Sequence, residues 1–169
     1  MTFGGTVINA DSMQVYRELR VLTARPDAAD EARAPHRLYG VIPAAEPCSA
    51  ARWRSLAVAA IAEAREQGRA PIVCGGTGLY LRALMEGLSP LPDVPGEVRE
   101  AVRARFAPAG TAAIHEALRE ADPKAAARLA ATDRQRLLRA WEIFEATGVS
   151  IVDWQDRPPS GPPPGIGFR

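Results

Sequence analysis

The first half of the chain alternates short apolar runs with longer amphipathic stretches. Residues 6–8, Thr-Val-Ile, are β-branched and predict a strand, and residues 13–19 predict the helical turn that follows it. Residues 71–74, Pro-Ile-Val-Cys, form a second apolar run of the kind that a buried parallel strand shows. Residues 79–86 then predict a helix that ends at Gly87. Strands that are each followed by a helix predict a right-handed βαβ unit and a parallel α/β sheet.

The segment between these two strands has two parts. Residues 21–48 contain four prolines and predict an irregular connection. Ser49 is a suitable N-cap, and apolar side chains then recur at helical spacing until Gly68. A long helix is therefore predicted between Ser49 and Gly68.

The second half of the chain predicts helices only, as far as residue 147. Their approximate bounds are 97–106, 110–121, 123–131 and 133–147. The last is the clearest, because Asp133 can cap it, Leu137 and Trp141 share its apolar face, and Gly148 follows. After a Pro/Gly-rich linker, residues 166–168 are typical of the start of a strand. We therefore expect a partial α/β core at 1–92, a helical domain at 93–160 and a return to the core at 161–169.

Composition limits the possible classes of function. The chain has 21 basic and 20 acidic residues, so its net charge of +1 gives no bulk signal for a polyanionic partner. Cys48 and Cys74 form no metal-ligand pattern, and we expect two reduced thiols, with Cys74 buried in its strand. No stretch has the apolar length of a membrane span. These features predict a soluble cytoplasmic protein with no membrane contact.

Polar residues follow the first predicted strand directly. They begin with Asp11 and Ser12 and continue to Gln14. The carboxyl edge of a parallel sheet is where ligands bind, and a carboxylate there can accept a proton. The Gln14 amide can make the paired hydrogen bonds that read adenine. The alternative, which spacing alone favours, is that Asp11 or Ser12 caps the following helix.

Gly75, Gly76 and Thr77 follow the second predicted strand. Glycines let a backbone approach a ligand closely, and free amides at a helix N-terminus favour anions. The alternative is a simple strand-to-helix turn with Thr77 as the N-cap. Because both polar segments follow parallel strands, we expect them to converge on one pocket.

Arginines cluster on two of the predicted helices. Arg136 and Arg139 share one helical face beside Gln135, and Arg99 and Arg103 lie one turn apart on an earlier helix. Arginine suits phosphate contacts, and glutamine suits a base edge or a 2′-hydroxyl. The alternative is a solvated polar face, which a charge cluster alone favours.

Five motifs occur in order along the chain. They are DSMQVY at 11–16, PH at 35–36, GGTGLY at 75–80, LSPLP at 88–92 and DRQR at 133–136. Together they closely resemble the tRNA dimethylallyltransferase family, the tRNA isopentenyltransferases of bacteria. The resemblance implies a core similar to P-loop kinases, with an all-helical insertion domain that grips the tRNA anticodon stem-loop. It also implies transfer of a dimethylallyl group from dimethylallyl diphosphate to the exocyclic amine of the adenosine beside the anticodon, with Mg²⁺ as cofactor and a monomeric enzyme.

The same resemblance implies roles for individual residues. Asp11 would be the general base, and Thr77 would act near the diphosphate and the reacting base, with Gly75 and Gly76 beside it in the diphosphate cradle. The residues implied to contact tRNA or the base are Asp11, Ser12, Met13, Gln14, Thr77, Arg99, Gln135, Arg136, Leu137, Leu138 and Arg139. The resemblance assigns no residue of this sequence as a metal ligand, so the metal ligands are unknown.

The chain departs from the family pattern at the phosphate loop. The family's G-x-x-x-x-G-K-[ST] loop should precede Gly4, and the sequence contains no match; its one lysine, Lys124, lies in no glycine loop. We therefore expect a chain truncated at both ends, weak or inactive alone because the diphosphate loses most of its binding partners. The first alternative is a non-catalytic RNA-binding remnant. The second, a small-molecule kinase of the P-loop type, needs the lysine loop that is missing.

Overall fold

The computed structural model describes residues 4–168. Its elements are β1 (Gly5–Asn9), α1 (Ala28–Arg33), β2 (His36–Arg37), α2 (Ala50–Glu66), β3 (Ala70–Cys74), α3 (Gly78–Met85), α4 (Gly96–Phe106), α5 (Thr111–Ala121), α6 (Pro123–Arg128), α7 (Arg134–Thr147) and α8 (Ile151–Gln155). They form two compact units. One runs up to Leu88 and resumes at Gly161, and the other is Ser89–Ser160. The boundary expected from the sequence, between residues 92 and 93, lies slightly later.

The first unit contains a three-stranded parallel sheet, which confirms the predicted parallel α/β class. The strand order is β2-β1-β3, and β1 pairs with β3 from Gly5 opposite Ala70 to Asn9 opposite Cys74. The long helix α2 packs against the sheet through buried side chains that include Trp53 and Ile61. Its start agrees with the prediction, because the Ser49 side chain accepts a hydrogen bond from the Arg52 amide.

The prediction of a buried second strand was wrong. Side chains of β3 alternate between exposed and half-buried; Ile72 is 45% exposed and Cys74 is exposed as well. Among the strands that the structure describes, β3 pairs only with β1, so it lies at an edge of the sheet. A continuous apolar run therefore does not guarantee burial when a strand lacks a neighbour on one side.

The connection between β1 and α2 is more regular than predicted. Residues 21–48 contain α1 and the two-residue strand β2. Asp27 caps α1 by accepting hydrogen bonds from the Ala29 and Asp30 amides. Conversely, the helical turn predicted at 13–19 is reduced to a 3₁₀ turn at Arg17–Leu19.

The second unit consists of α4 to α8 packed around one apolar core, as the helical pattern predicted for 97–147. The core side chains include Val102, Ile114, Leu118, Leu137 and Ile143. Helix α7 begins and ends as predicted: the Asp133 side chain accepts from the Arg136 amide, and Gly148 has a φ of 66°. Helix α8 was not predicted, since its single turn is too short for a periodic pattern.

Two further features complete the fold. Residues 166–168 do not form the expected strand; Ile166 packs against the apolar core of the first unit instead. Of the helices between residues 4 and 168, none has both the length and the apolarity to cross a membrane.

Candidate functional site

The two polar segments that follow β1 and β3 meet at the carboxyl edge of the sheet. The Ala10 amide donates to the Cys74 carbonyl at 2.8 Å, and the Thr77 amide donates to the Ala10 carbonyl at 3.1 Å. The Ser12 amide then donates to the Thr77 hydroxyl oxygen Oγ1 at 2.9 Å. These three bonds bring the loop that carries Asp11 into contact with the Gly-Gly-Thr loop, as the sheet argument predicted.

Gly75 allows this close approach. A Cβ atom at Gly75 would lie 2.3 Å from the carbonyl carbon of Ala10 and 2.6 Å from the Asp11 amide nitrogen. Both are backbone atoms, which cannot rotate away as a side chain can. Gly76 differs, since a Cβ there would meet nothing within 4 Å. The two glycines therefore have different roles, and only Gly75 is required by packing.

The Asn9 side chain fixes the Asp11 loop by hydrogen bonds, a role that the sequence analysis did not predict. Its side-chain amide is fully buried; Nδ2 donates to the carbonyls of Asp11 (3.0 Å) and Leu38 (3.1 Å), and Oδ1 accepts from the Asp11 amide (2.9 Å). Leu38 has a φ of 64°, which is strained for a branched side chain, and the Asn9 bond secures its carbonyl. A polar residue that ends an apolar strand was the one available signal.

The Asp11 carboxylate has a structural role and also keeps acceptor positions for a ligand. Its Oδ1 accepts from the amides of Met13 (2.8 Å) and Gln14 (3.2 Å) and so closes a turn. No helix begins there, so the alternative that Asp11 caps a helix was wrong. A carboxylate has two oxygens and about four acceptor positions, so these bonds leave acceptor capacity for a ligand. Asp11 is also half-buried rather than sealed in the core.

Thr77 does not act as the simple helix cap that the alternative proposed. It occupies the N-cap position of α3, but its side chain makes no cap hydrogen bond. Its hydroxyl instead accepts the Ser12 amide. A hydroxyl that accepts one bond can still donate its own proton, so Thr77 can offer a donor to an anionic ligand.

Gln14 and Met13 lie beside Asp11 but differ in availability. The Gln14 side-chain nitrogen Nε2 donates to the Thr23 carbonyl at 2.8 Å, so reading adenine through this nitrogen requires that bond to be exchanged. Met13 is about half exposed. In the conformation described, Gln14 therefore anchors the segment after the 3₁₀ turn.

Two tyrosines near this edge keep their protons well above neutral pH. Burial raises the pKa of Tyr39, and the nearby Cys74 and Asp11 raise it further. Burial also raises the pKa of Tyr80, whose hydroxyl donates to the Cys48 carbonyl at 3.4 Å. Tyr39, which the sequence did not single out, is thus a neutral phenol whose pKa is raised by the charge of the nearby Asp11.

The second unit carries the arginines that were predicted to contact RNA. Arg99 donates through Nε and Nη2 to the Val94 carbonyl, at 3.1 and 2.9 Å, and so secures the start of α4. Gln135 and Arg136 are exposed on the first turn of α7. Arg139 is partly exposed one turn later. Gln135, Arg136 and Arg139 therefore remain available for a polar ligand.

The predicted tRNA contact at Leu137 stays a prediction, but its side chain is not accessible in the structure. Leu137 is fully buried in the helical core, and Leu138 is half-buried against that core. Both follow from the apolar stripe of α7, which turns these positions away from solvent. Their contribution is to the orientation of the helix.

The expected Mg²⁺ finds no dedicated site among these residues. Mg²⁺ prefers oxygen ligands in octahedral geometry, often one or two carboxylates together with substrate phosphates. Between residues 4 and 168, no group of three or more His, Cys, Asp or Glu side chains is arranged to hold a metal. The described residues therefore offer no magnesium site made of protein side chains alone, and Mg²⁺ stays a prediction.

Comparison with known proteins shows which family this chain resembles. Residues 14–166 match the family model described as IPP transferase. The chain is 56% identical to the tRNA dimethylallyltransferase of Granulibacter bethesdensis over 165 residues, which are 98% of this chain and 51% of that protein. It spans about half the length of the curated relatives it matches.

Two solved structures agree with this match. The full-length tRNA isopentenylpyrophosphate transferase of Bacillus halodurans is 37% identical, with a TM-score of 0.50, over 86% of this chain and 48% of that one. A eukaryotic dimethylallyltransferase captured acting on tRNA is 25% identical, with a TM-score of 0.70, over 94% of this chain and 40% of that one. Since the family model covers most of the sequence, including the Gly-Gly-Thr loop of the site, the chain belongs to the IPP transferase family.

Proposed function

We propose that this chain binds a tRNA anticodon stem-loop and takes part in dimethylallyl transfer to the adenosine beside the anticodon. The observation that carries the proposal is the hydrogen bond from the Ser12 amide to the Thr77 hydroxyl. It joins the loop of Asp11, our candidate base, to the loop of our candidate diphosphate cradle. Membership of the IPP transferase family, with relatives named tRNA dimethylallyltransferase, supports the substrate assignment.

The proposed reaction needs one base and one group that stabilises the departing anion. The exocyclic nitrogen of adenosine forms a bond to C1 of the dimethylallyl group, and the bond between C1 and the diphosphate oxygen breaks. The nitrogen loses a proton, which we assign to the Asp11 carboxylate. The Met13 and Gln14 amides fix one oxygen of that carboxylate, so the group is oriented before the substrate arrives.

The diphosphate is assigned to the loop that precedes α3. The Thr77 amide already donates to the Ala10 carbonyl, so the cradle rests on the Gly75 and Gly76 amides and on the Thr77 hydroxyl. Because that hydroxyl accepts from Ser12, its proton is free to point toward a diphosphate oxygen.

The RNA-binding part of the proposal lies on the helical unit. The exposed side chains of Gln135 and Arg136 and the partly exposed side chain of Arg139 on α7 suit phosphate and 2′-hydroxyl contacts, and Arg99 on α4 is a further candidate. We propose one stem-loop for each chain, with the protein as a monomer. Titration of the chain with a stem-loop measures this stoichiometry.

The experiment separates RNA binding from transfer. The 169-residue chain is titrated with an anticodon stem-loop and assayed with labelled dimethylallyl diphosphate. We expect specific binding, slow transfer, and a loss of transfer of about 100-fold or more in Asp11→Asn with little change in affinity. Asp93→Asn, an exposed aspartate of the other unit, is the matched control and should change neither quantity.

Each result has a distinct meaning. Transfer that survives in Asp11→Asn would show that Asp11 is not the base. Stem-loop binding without measurable transfer by the unaltered chain would favour a non-catalytic RNA-binding protein.

A further inference from the structure

Helix α7 carries a buried carboxylate that the proposed reaction does not use. Glu142 is only 4% exposed. Its Oε1 lies 3.4 Å from Nε of Arg103 on α4, and its Oε2 lies 3.4 Å from Nη1 of Arg139 on α7. A buried carboxylate needs such partners, because an unpaired buried charge is strongly destabilising.

The two arginines remain open to a further ligand. Their side chains are 68% exposed at Arg103 and 37% exposed at Arg139. A guanidinium has five N–H donors, and among the described residues each of these two donates one hydrogen bond to Glu142. Two guanidinium groups that share one carboxylate keep a net charge of +1 and several unspent donors.

A neighbouring ion pair shows what a purely structural contact between the same helices looks like. Arg105 on α4 and Glu145 on α7 form two parallel bonds, at 3.0 and 3.1 Å. This pair is bidentate and its net charge is zero, so it has little attraction for an anion. The Glu142 cluster differs in both respects, since it is cationic and incompletely satisfied.

We propose that Glu142 is a positioning residue that holds Arg103 and Arg139 together as a clamp for backbone phosphates of the bound tRNA. Arg103 thereby becomes a further RNA-contacting residue. The clamp rests on the proposed function, because it requires the chain to bind a stem-loop. Its advantage is preorganisation: both long side chains are ordered before the RNA arrives, so less conformational entropy is lost on binding.

The test compares two variants that change the net charge equally. Glu142→Gln and Glu145→Gln each raise the net charge from +1 to +2, and each removes an ion pair between α4 and α7. Stem-loop affinity is measured by fluorescence anisotropy over a series of salt concentrations. Bulk electrostatics alone predicts tighter binding for both variants.

The clamp predicts opposite results for the two. Glu142→Gln should bind the stem-loop about tenfold more weakly, because two arginines must be ordered during binding, and with a smaller salt dependence. Glu145→Gln should bind as tightly as the unaltered chain or more tightly. Arg103→Gln should also bind more weakly, with a salt slope reduced by roughly one phosphate contact.

A background experiment separates positioning from general stability. In a chain that already carries Arg103→Gln and Arg139→Gln, the additional change Glu142→Gln should have no further effect on affinity. Thermal unfolding checks that each variant is folded. If Glu142→Gln is unfolded, the clamp is tested by Arg103→Gln, which changes an exposed side chain, through the salt dependence of its stem-loop affinity. Unchanged or tighter binding by Glu142→Gln, or an unchanged slope for Arg103→Gln, overturns the clamp. If the unaltered chain does not bind the stem-loop, the RNA-binding step of the proposed function is refuted together with the clamp. If the unaltered chain binds and only the variants give the contrary results, the clamp alone is refuted.

Discussion

Replacement of Gly75 by alanine tests the close approach on which the site depends. The added Cβ would lie 2.3 Å from the Ala10 carbonyl carbon, whereas ordinary contacts begin at 3.4 Å. The two loops must therefore separate by about 1 Å, since the blocking atoms belong to the backbone. The perturbation acts directly on the joint between the two polar segments.

The magnitude follows from the contacts that this separation disturbs. Overpacking of a close-packed region costs about 1–3 kcal/mol. The bonds between Ala10 and Cys74 and between Thr77 and Ala10 are the nearest ones, and a backbone hydrogen bond contributes about 1 kcal/mol net. We expect Gly75→Ala to lower the free energy of unfolding by about 3 kcal/mol, a large share of the roughly 5–15 kcal/mol of a typical domain.

Urea denaturation, followed by circular dichroism, measures this loss. Gly76→Ala is the matched control, because its Cβ meets open space, and we expect a change within about 0.5 kcal/mol. Hydrogen exchange at the Thr77 amide should accelerate in Gly75→Ala and not in the control. If the two variants unfold at the same urea concentration, the inferred approach of the two loops is wrong.

Three further changes test other contacts. Thr77→Val removes the hydroxyl that accepts the Ser12 amide and should lower the free energy of unfolding by about 1 kcal/mol, whereas Thr77→Ser should not; equal losses would contradict this role. Asn9→Leu removes the partner of three backbone groups of Asp11 and Leu38 and should cost about 3 kcal/mol in the same denaturation assay; a loss below roughly 1 kcal/mol would argue against this role of Asn9. A hydrogen bond from Arg37 holds the pKa of Glu63 below its usual range, so the pair stabilises the fold above the ordinary glutamate pKa and loses this contribution as the pH falls through the lowered value. Glu63→Gln should make the free energy of unfolding less dependent on pH in that acid range, and an undiminished pH dependence would refute the coupling.

Helix bounds were predictable because their determinants are local. Ser49, Asp133 and Gly148 act on residues within one turn of themselves, and the structure confirms all three. The apolar stripe of α7 also indicated the burial of Leu137 correctly. The family resemblance implied an RNA contact there, and the periodic pattern proved the better guide to the side chain.

Features that depend on distant contacts were not predictable in the same way. The partner of the Thr77 hydroxyl, Ser12, lies 65 residues away in the sequence. One of the three bonds of Asn9 reaches a loop at Leu38, whose backbone conformation no local pattern indicates. The exposure of β3 likewise depends on how many strands flank it, which the composition of the strand does not encode.

The return of the chain at Gly161 has a consequence for the order of folding. Arg54 and Arg65 on α2 donate to the carbonyls of Gly161 and Gly165, which lie 107 and 100 residues further along the chain. Closing so long a loop costs conformational entropy, while the helices between Ser89 and Ser160 pack against one another within that shorter segment. We therefore expect the helical unit to form early and shorten the effective loop, so that docking of the last residues onto α2 is a late step in folding.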